Sequence, residues 1–329
     1  MDEQPSVASV RRASAVLTRE EIHELTRTSD AAGIRALATS WALVALALAA
    51  CARWPHPIVI ALAVVVVGGQ QLALSVLMHE AAHRTLMRTR WLNDLAGDWL
   101  AGKPVWADLA RYRAHHRGHH AHAGGEADPD RALIAPFPVT RGSLARKLAR
   151  DAFGPSGLRR LVGLVLMDAE VLRYSVAGTA ERLPRKPRRL GHLVALARNA
   201  GGTLVTNAAL LGLLTATGHA LLYLVWLGAY LTTFSLFLRI RSMAEHACTT
   251  DSTDPLLHTR TTRAGWLARL TVAPHQVHYH VEHHLLPTVP WFRLRALRAM
   301  LVERGVVAPE RELPGYLGVL ALVASRRPS

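Results

Sequence analysis

Two cysteines in 329 residues, Cys51 and Cys248, leave little scope for thiol chemistry. They stand far apart and no CxxC occurs, which argues against zinc ribbons and thiolate-held iron–sulfur clusters. Aromatic residues are scarce, at 6%, so the interleaved basic and aromatic surface on which bases stack is missing. No GxGxxG is present, and with it goes the usual dinucleotide fingerprint. Acidic residues are outnumbered, 24 Asp and Glu against 39 Lys and Arg, for a formal charge of +15. In a soluble domain that excess would suggest nucleic acid. Here half the chain is apolar and the charges are segregated from the apolar runs, which is the pattern of a membrane protein rather than a nucleic-acid binder.

What is present begins with four apolar runs. The first two cover about residues 34–51 and 57–78, each near the ~20 residues that a bilayer-crossing helix needs. Between them Ala52-Arg53-Trp54-Pro55-His56-Pro57 is short and rich in helix breakers, so the pair reads as a hairpin with a Trp at the interface. The other two cover about 193–216 and 220–240, parted by Thr217-Gly218-His219, and form a second hairpin. Gly68, Gly69, Gln70 and Gln71 interrupt the second run, and Asn199 and Asn207 mark the third; polar groups in a membrane pair between helices. Residues 91–106 are mildly apolar but broken by Asn93, Asp94, Asp98, Lys103 and Pro104, and read as interfacial. Leu158–Val171 is amphipathic and is expected on the membrane surface.

The first 35 residues are polar and carry Arg11, Arg12, Arg19, Arg27 and Arg35, unlike a cleavable signal. Thr18, three residues before Glu21, makes a capping box for a short helix. Residues 107–190, with the basic patch Arg182–Arg189, and everything after Arg239 are polar and basic. The two hairpin tips hold a single Arg, Arg53. The positive-inside tendency then places both termini and the basic regions in the cytoplasm.

Histidine is the residue in excess: 18 occur, five of them between His115 and His122. Four clusters stand out: His79-Glu80-Ala-Ala-His83, His116-Arg-Gly-His119-His120, Glu245-His246, and His280-Val-Glu282-His283-His284. In the topology above all four fall on the cytoplasmic side, so they can converge. On a helix, residues four apart share a face, so His79 and His83 can reach one centre. In HxxHH the first and fourth are expected to share a face while the fifth turns partly away. The nine imidazoles are too many for one metal and a good supply for two. Imidazole suits Fe, Zn, Cu and Ni, so the donors do not name the metal. His23, His56, His192, His219 and His258 read as ordinary lone histidines. His115, His122, His275 and His278 read as supporting or solvent-facing groups.

This pattern resembles the membrane fatty acid desaturase/hydroxylase superfamily, marked by HxxxH, HxxHH and a late HxxHH. Asp128-Pro129-Asp130 after the second box, Arg241-Ser-Met-Ala-Glu245-His246, and the setting Tyr279–Pro290 of the last box are similar to its bacterial members. The resemblance covers roughly residues 35–305. It implies an all-α integral membrane fold of four spans with a cytoplasmic helical cap, divided into an arm (1–33), a desaturase-like domain (34–305) and a tail (306–329). It implies two Fe ions, replaceable by zinc in purified protein, held by His79, His83, His116, His119, His120, His246, His280, His283 and His284. O₂ is the implied co-substrate, and hydrogen is removed from an unactivated C–H bond. Carboxylates usually orient metal-bound imidazoles, and Glu80, Asp94, Asp128, Glu245 and Glu282 are the candidates. The substrate is expected to be a lipid or acyl chain in the cytoplasmic membrane. Electrons are expected from a separate ferredoxin or similar carrier with its reductase.

Desaturation to an alkene is the first expectation. Hydroxylation or ketolation of an acyl, carotenoid or other apolar substrate shares the same hydrogen abstraction. His79-Glu80-Ala-Ala-His83 also matches HExxH, the zinc-protease helix with Glu as general base, but that reading leaves seven clustered histidines without a role. A bis-histidine haem would need histidines in the middle of facing spans, where this chain has almost none.

Overall fold

The structure is a computed structural model, and it describes residues 13–174, 180–184, 189–308 and 312–325. Arg11 and Arg12 of the basic arm, and residues 185–188 of the basic patch, lie outside the described residues. The chain is mostly helical, with one antiparallel pair of three-residue strands, Leu172–Tyr174 and Ala180–Arg182.

The helices that position the site are α1 (Arg19–Leu25), α2 (Asp30–Arg53), α3 (Pro57–Ala82), α4 (Leu109–His122), α5 (Pro155–Asp168), α6 (Arg189–Ala216), α7 (Tyr223–Leu231), α8 (Thr233–His246) and α9 (His280–Leu285). Their ends follow from local chemistry. Thr18 and Glu21 close the expected capping box on α1, Ser29 caps α2, and Pro57 opens α3 at a position where its missing N–H costs nothing. Asp108 accepts from the Arg111 N–H to cap α4.

Among the described residues, three helical stretches are long and apolar enough to cross a membrane: Arg19–Arg53, Pro57–Ala82 and Ala220–His246. With the family described below, they make this a membrane protein. The expected third run does form a helix, α6, but it is not one of the three. Its first half carries His192, Arg198 and Asn199, which interrupt the apolar run.

α3 is the central element, packed against α2, α4, α7 and α8. It allows close approach through glycines. A Cβ at Gly68 would run into the Thr233 side chain, and one at Gly69 into the Leu270 carbonyl. The polar residues of the spans pair between helices: Gln71 Nε2 donates to the Trp226 carbonyl at 2.9 Å, and Asn207 Oδ1 accepts from Tyr223 and Trp226.

Residues 90–105 lie along α3, with Gly97 against Ala81 and Gly102 against Met78. They expose Trp91, Leu95, Trp99 and Leu100, as an interfacial segment would. On α5, Leu158 and Val162 are exposed while Gly157 and Gly163 are buried, the two-faced character expected of it. The stretch after Arg239 departs from the expectation of a uniformly polar tail. Leu270 and Thr271 dock on Gly69, and His275 Nε2 stands 3.4 Å from Ser40 Oγ of α2. Gly69 lies ten residues before His79, about 15 Å along the helix, so residues 266–276 reach well down between α2 and α3. Trp266 and Leu267 stay exposed there. The run is too short, and too broken by Arg269 and Pro274, to carry an apolar signal of its own.

Candidate metal centre

α3 and α8 end side by side, and their last turns deliver His79 and His246. α4 lies across α3 and supplies His116, His119 and His120, while α9 supplies His280, His283 and His284. The structure gathers the nine expected histidines into two adjoining groups. His79, His83, His116, His120 and His283 present ring nitrogens within 4.8 Å of one another. His119, His246 and His284 form a second such set, and His280 joins it with Nε2 2.8 Å from His246 Nε2.

The boxes divide differently from the expectation. His116 and His120 share one group while His119 enters the other; His280 and His284 share one while His283 leaves. Residues four apart are offset by about 40° around a helix and residues three apart by about 60°, so the i,i+4 pair converges and the fourth residue is released. Each HxxHH therefore reaches both groups.

The donors are in the state a metal requires. Burial is the main cause that holds His116, His120, His280, His283 and His284 well below the ordinary imidazole range, with neighbouring imidazoles adding to it. Burial likewise takes His83 to about 3. Neutral imidazoles keep a free lone pair. His79 Nε2, His83 Nε2 and His284 Nε2 are buried with no hydrogen-bond partner, and an orphaned buried acceptor is costly. His120 Nε2 faces His116 Nε2 and His283 Nε2 at 3.1 Å each. Orphaned nitrogens clustered this closely fit metal ions, and imidazole donors suit iron as they suit zinc, copper and nickel.

Of the five candidate carboxylates, three stand beside an imidazole. Asp128 Oδ1 is 2.8 Å from His119 Nδ1; burial pushes Asp128 up, but its hydrogen bonds with the His119 ring and the Asp130 N–H hold it below its usual range. Glu80 Oε1 is 3.3 Å from His79 Nδ1. Glu245 Oε1 is 3.7 Å from His280 Nδ1 and holds Arg241 at 2.6 Å. The other two are engaged elsewhere. Glu282 binds Thr261 and Arg298. Asp94 holds Arg113, which in turn grips the Ala81 and Ala82 carbonyls at the end of α3.

Three neighbours escaped sequence reasoning. His258 is buried, with its ring 5.4 Å from that of His284, and its carbonyl lies 3.2 Å from His246 Nδ1. Asp130 sits 2.9 Å from His115 Nε2. The Tyr112 ring stacks on His116 at 5.2 Å. Tyr112 sits four residues before His116 on α4, a signal that was available; His258 is brought in by tertiary packing alone.

Beside the second group opens a cavity of about 370 Å³. His119, His246 and His280 form part of its wall, with Leu164, Phe234 and Leu238 among its apolar residues.

The model of the fatty acid desaturase family matches residues 52–314. The chain belongs to the fatty acid desaturase family. It is also similar to the dihydrorhizobitoxine desaturase of Bradyrhizobium elkanii, with 26% identity over 314 residues that cover 92% of this chain and 81% of that protein. Membership makes it an oxidoreductase, and a desaturase of this family is generally metal-dependent. The match begins in the first hairpin's tip and closes after the last histidine box, so it takes in every histidine of the centre.

Proposed function

We propose that this desaturase uses two iron ions and O₂ to remove two hydrogens from a fatty acyl chain. The observation that supports the reading is the pairing of the two imidazole groups, which share both HxxHH boxes and border one cavity. In this reading His79, His83, His116, His120 and His283 hold one ion, and His119, His246, His280 and His284 the other; zinc can replace iron in purified protein. Bound iron would activate O₂, the oxidant, for attack on an unactivated C–H bond, with electrons from the carrier completing its reduction to water. The chain's own residues do the rest: Asp128 fixes the tautomer and ring plane of His119, the Glu245–Arg241 ion pair stands beside His280, and the apolar walls keep water from the reacting carbons. Four spans, with α6 as the third, would put both termini and the centre on the cytoplasmic side, where a ferredoxin or similar carrier delivers electrons.

Glu80 argues against the HExxH protease. Its Oε2 accepts from Thr85 Oγ1 at 2.7 Å and from the Trp291 N–H at 3.1 Å, which commits it to structure where a protease needs a free base. A second substrate reading draws on the relative's name, dihydrorhizobitoxine desaturase: the same chemistry on a molecule that is not a fatty acyl chain. Mass profiling of lipids and small metabolites from a host expressing the chain separates these. Acyl chains lighter by two hydrogens are expected. A product heavier by one oxygen would overturn desaturation in favour of hydroxylation, and a lighter small metabolite with unchanged lipids would overturn the acyl substrate.

A further inference from the structure

The cavity beside the histidines is long. Tyr230, Phe234, Leu238, Ser242 and His246 all line it and follow one another at four-residue steps along α7 and α8. At 1.5 Å per residue these positions span about 24 Å of helix, from His246 at one end to Tyr230 at the other. The Tyr230 end carries a feature that the desaturase chemistry does not use.

Four cations line the cavity: Lys103, Arg111, Arg160 and Arg241. Three are neutralised. Lys103 is 2.6 Å from Asp108, Arg111 is 2.5 Å from Asp168, and Arg241 is 2.6 Å from Glu245. Arg160, on α5, has no carboxylate within ion-pair distance among the described residues. Its guanidinium lies 4.6 Å from the ring centres of both Tyr230 and Phe234, and Nη2 donates to the Tyr230 carbonyl at 3.0 Å. Nε is buried and has no acceptor. The two ring centres are 5.3 Å apart, so both rings flank the same side of the cation. A guanidinium has five donors in a fixed fork that matches carboxylate and phosphate oxygens. A cation pinned by aromatic faces, lacking a counter-ion and bordering a cavity, is arranged for an anion brought by a ligand.

We infer that Arg160 is the anion-recognition group of this cavity, selecting amphiphiles with a carboxylate or phosphate head. The head sits at the Tyr230 end, and the chain runs along α8 toward His246. Arg160 thereby sets how far from the head the chain meets the centre. The inference rests on the acyl reading above and adds the head chemistry and the register.

The test is binding to the purified full chain, with palmitate, hexadecyl phosphate and hexadecanol as probes, in wild type, Arg160→Gln and Arg160→Lys. A charge-assisted contact is worth roughly 10-fold to 100-fold in affinity. Wild type should bind at least one of the two anionic probes that much more tightly than hexadecanol, and the preferred one identifies the head as carboxylate or phosphate. Arg160→Gln should bind all three alike, and Arg160→Lys should recover part of the preference. Equal binding of hexadecanol by wild type, or an undiminished preference in Arg160→Gln, would overturn the inference while leaving the acyl reading standing. Failure of every probe to bind would overturn both. If Arg160→Gln does not fold, the wild-type comparison still decides.

Discussion

Five imidazoles surround one half of the centre and four the other, and the two sets lean on different neighbours. In the first, His79 and His83 come from one helix end, His116 is covered by Tyr112, and the nearby Glu80 is tied to Thr85 and the Trp291 backbone. In the second, His119 depends on Asp128, His280 stands near Glu245, and three of the four members border the cavity. The first group is held by packing along α3 and α4. In the second, Asp128 from outside the boxes meets His119, and more of its members line the cavity than of the first, which reaches it through His116. In the proposed reading the difference makes one half a scaffold and the other the half nearer the substrate.

The sharpest way to break this comparison is to remove one ligand from each. His284→Ala leaves its group three imidazoles, so bound metal should fall, by at most about one ion per chain, and activity should be lost. His83→Ala leaves four and should retain more metal. Elemental analysis of both variants checks this, and equal losses would erase the distinction. Next in size is Asp128→Asn, which removes the partner of His119. Loss of such a partner typically costs about 10–100-fold in metal affinity, and the metal lost should come from the second group. Glu80→Gln keeps an oxygen for Thr85 and Trp291, so it should cost less activity than Asp128→Asn; complete loss with metal retained would revive the protease reading.

Smaller effects test the scaffold. Gly69→Ala forces a methyl group into the Leu270 carbonyl and should destabilise by about 1–3 kcal/mol in thermal unfolding. Asp94→Asn loosens the half-exposed ion pair with Arg113 and can keep an oxygen for the Asn93 amide, so it should cost at most about 1 kcal/mol, with metal content unchanged.

The sequence made some of this legible and hid the rest for definite reasons. The histidines could be named because their spacing is local and repeated, and the first hairpin because apolar runs broken at Pro55 and Pro57 are local too. The capping box at Thr18 is likewise a four-residue signal. The division of each box was missed because it turns on a difference of about 20° around a helix, below what face-counting resolves. His258 and the descent of residues 266–276 onto Gly69 depend on contacts between distant segments, and nothing near them in sequence announces it. Asp94 and Glu282 were reasonable by position, yet Arg113 and Arg298 stand closer than any imidazole does.

The central claim is a two-ion centre, and metal stoichiometry tests it most directly. Full-length protein purified from iron-replete cells, analysed for all transition metals against quantified chain, should carry two ions per chain, with iron the larger part. A saturated value of one ion per chain would contradict a paired centre, whatever the metal.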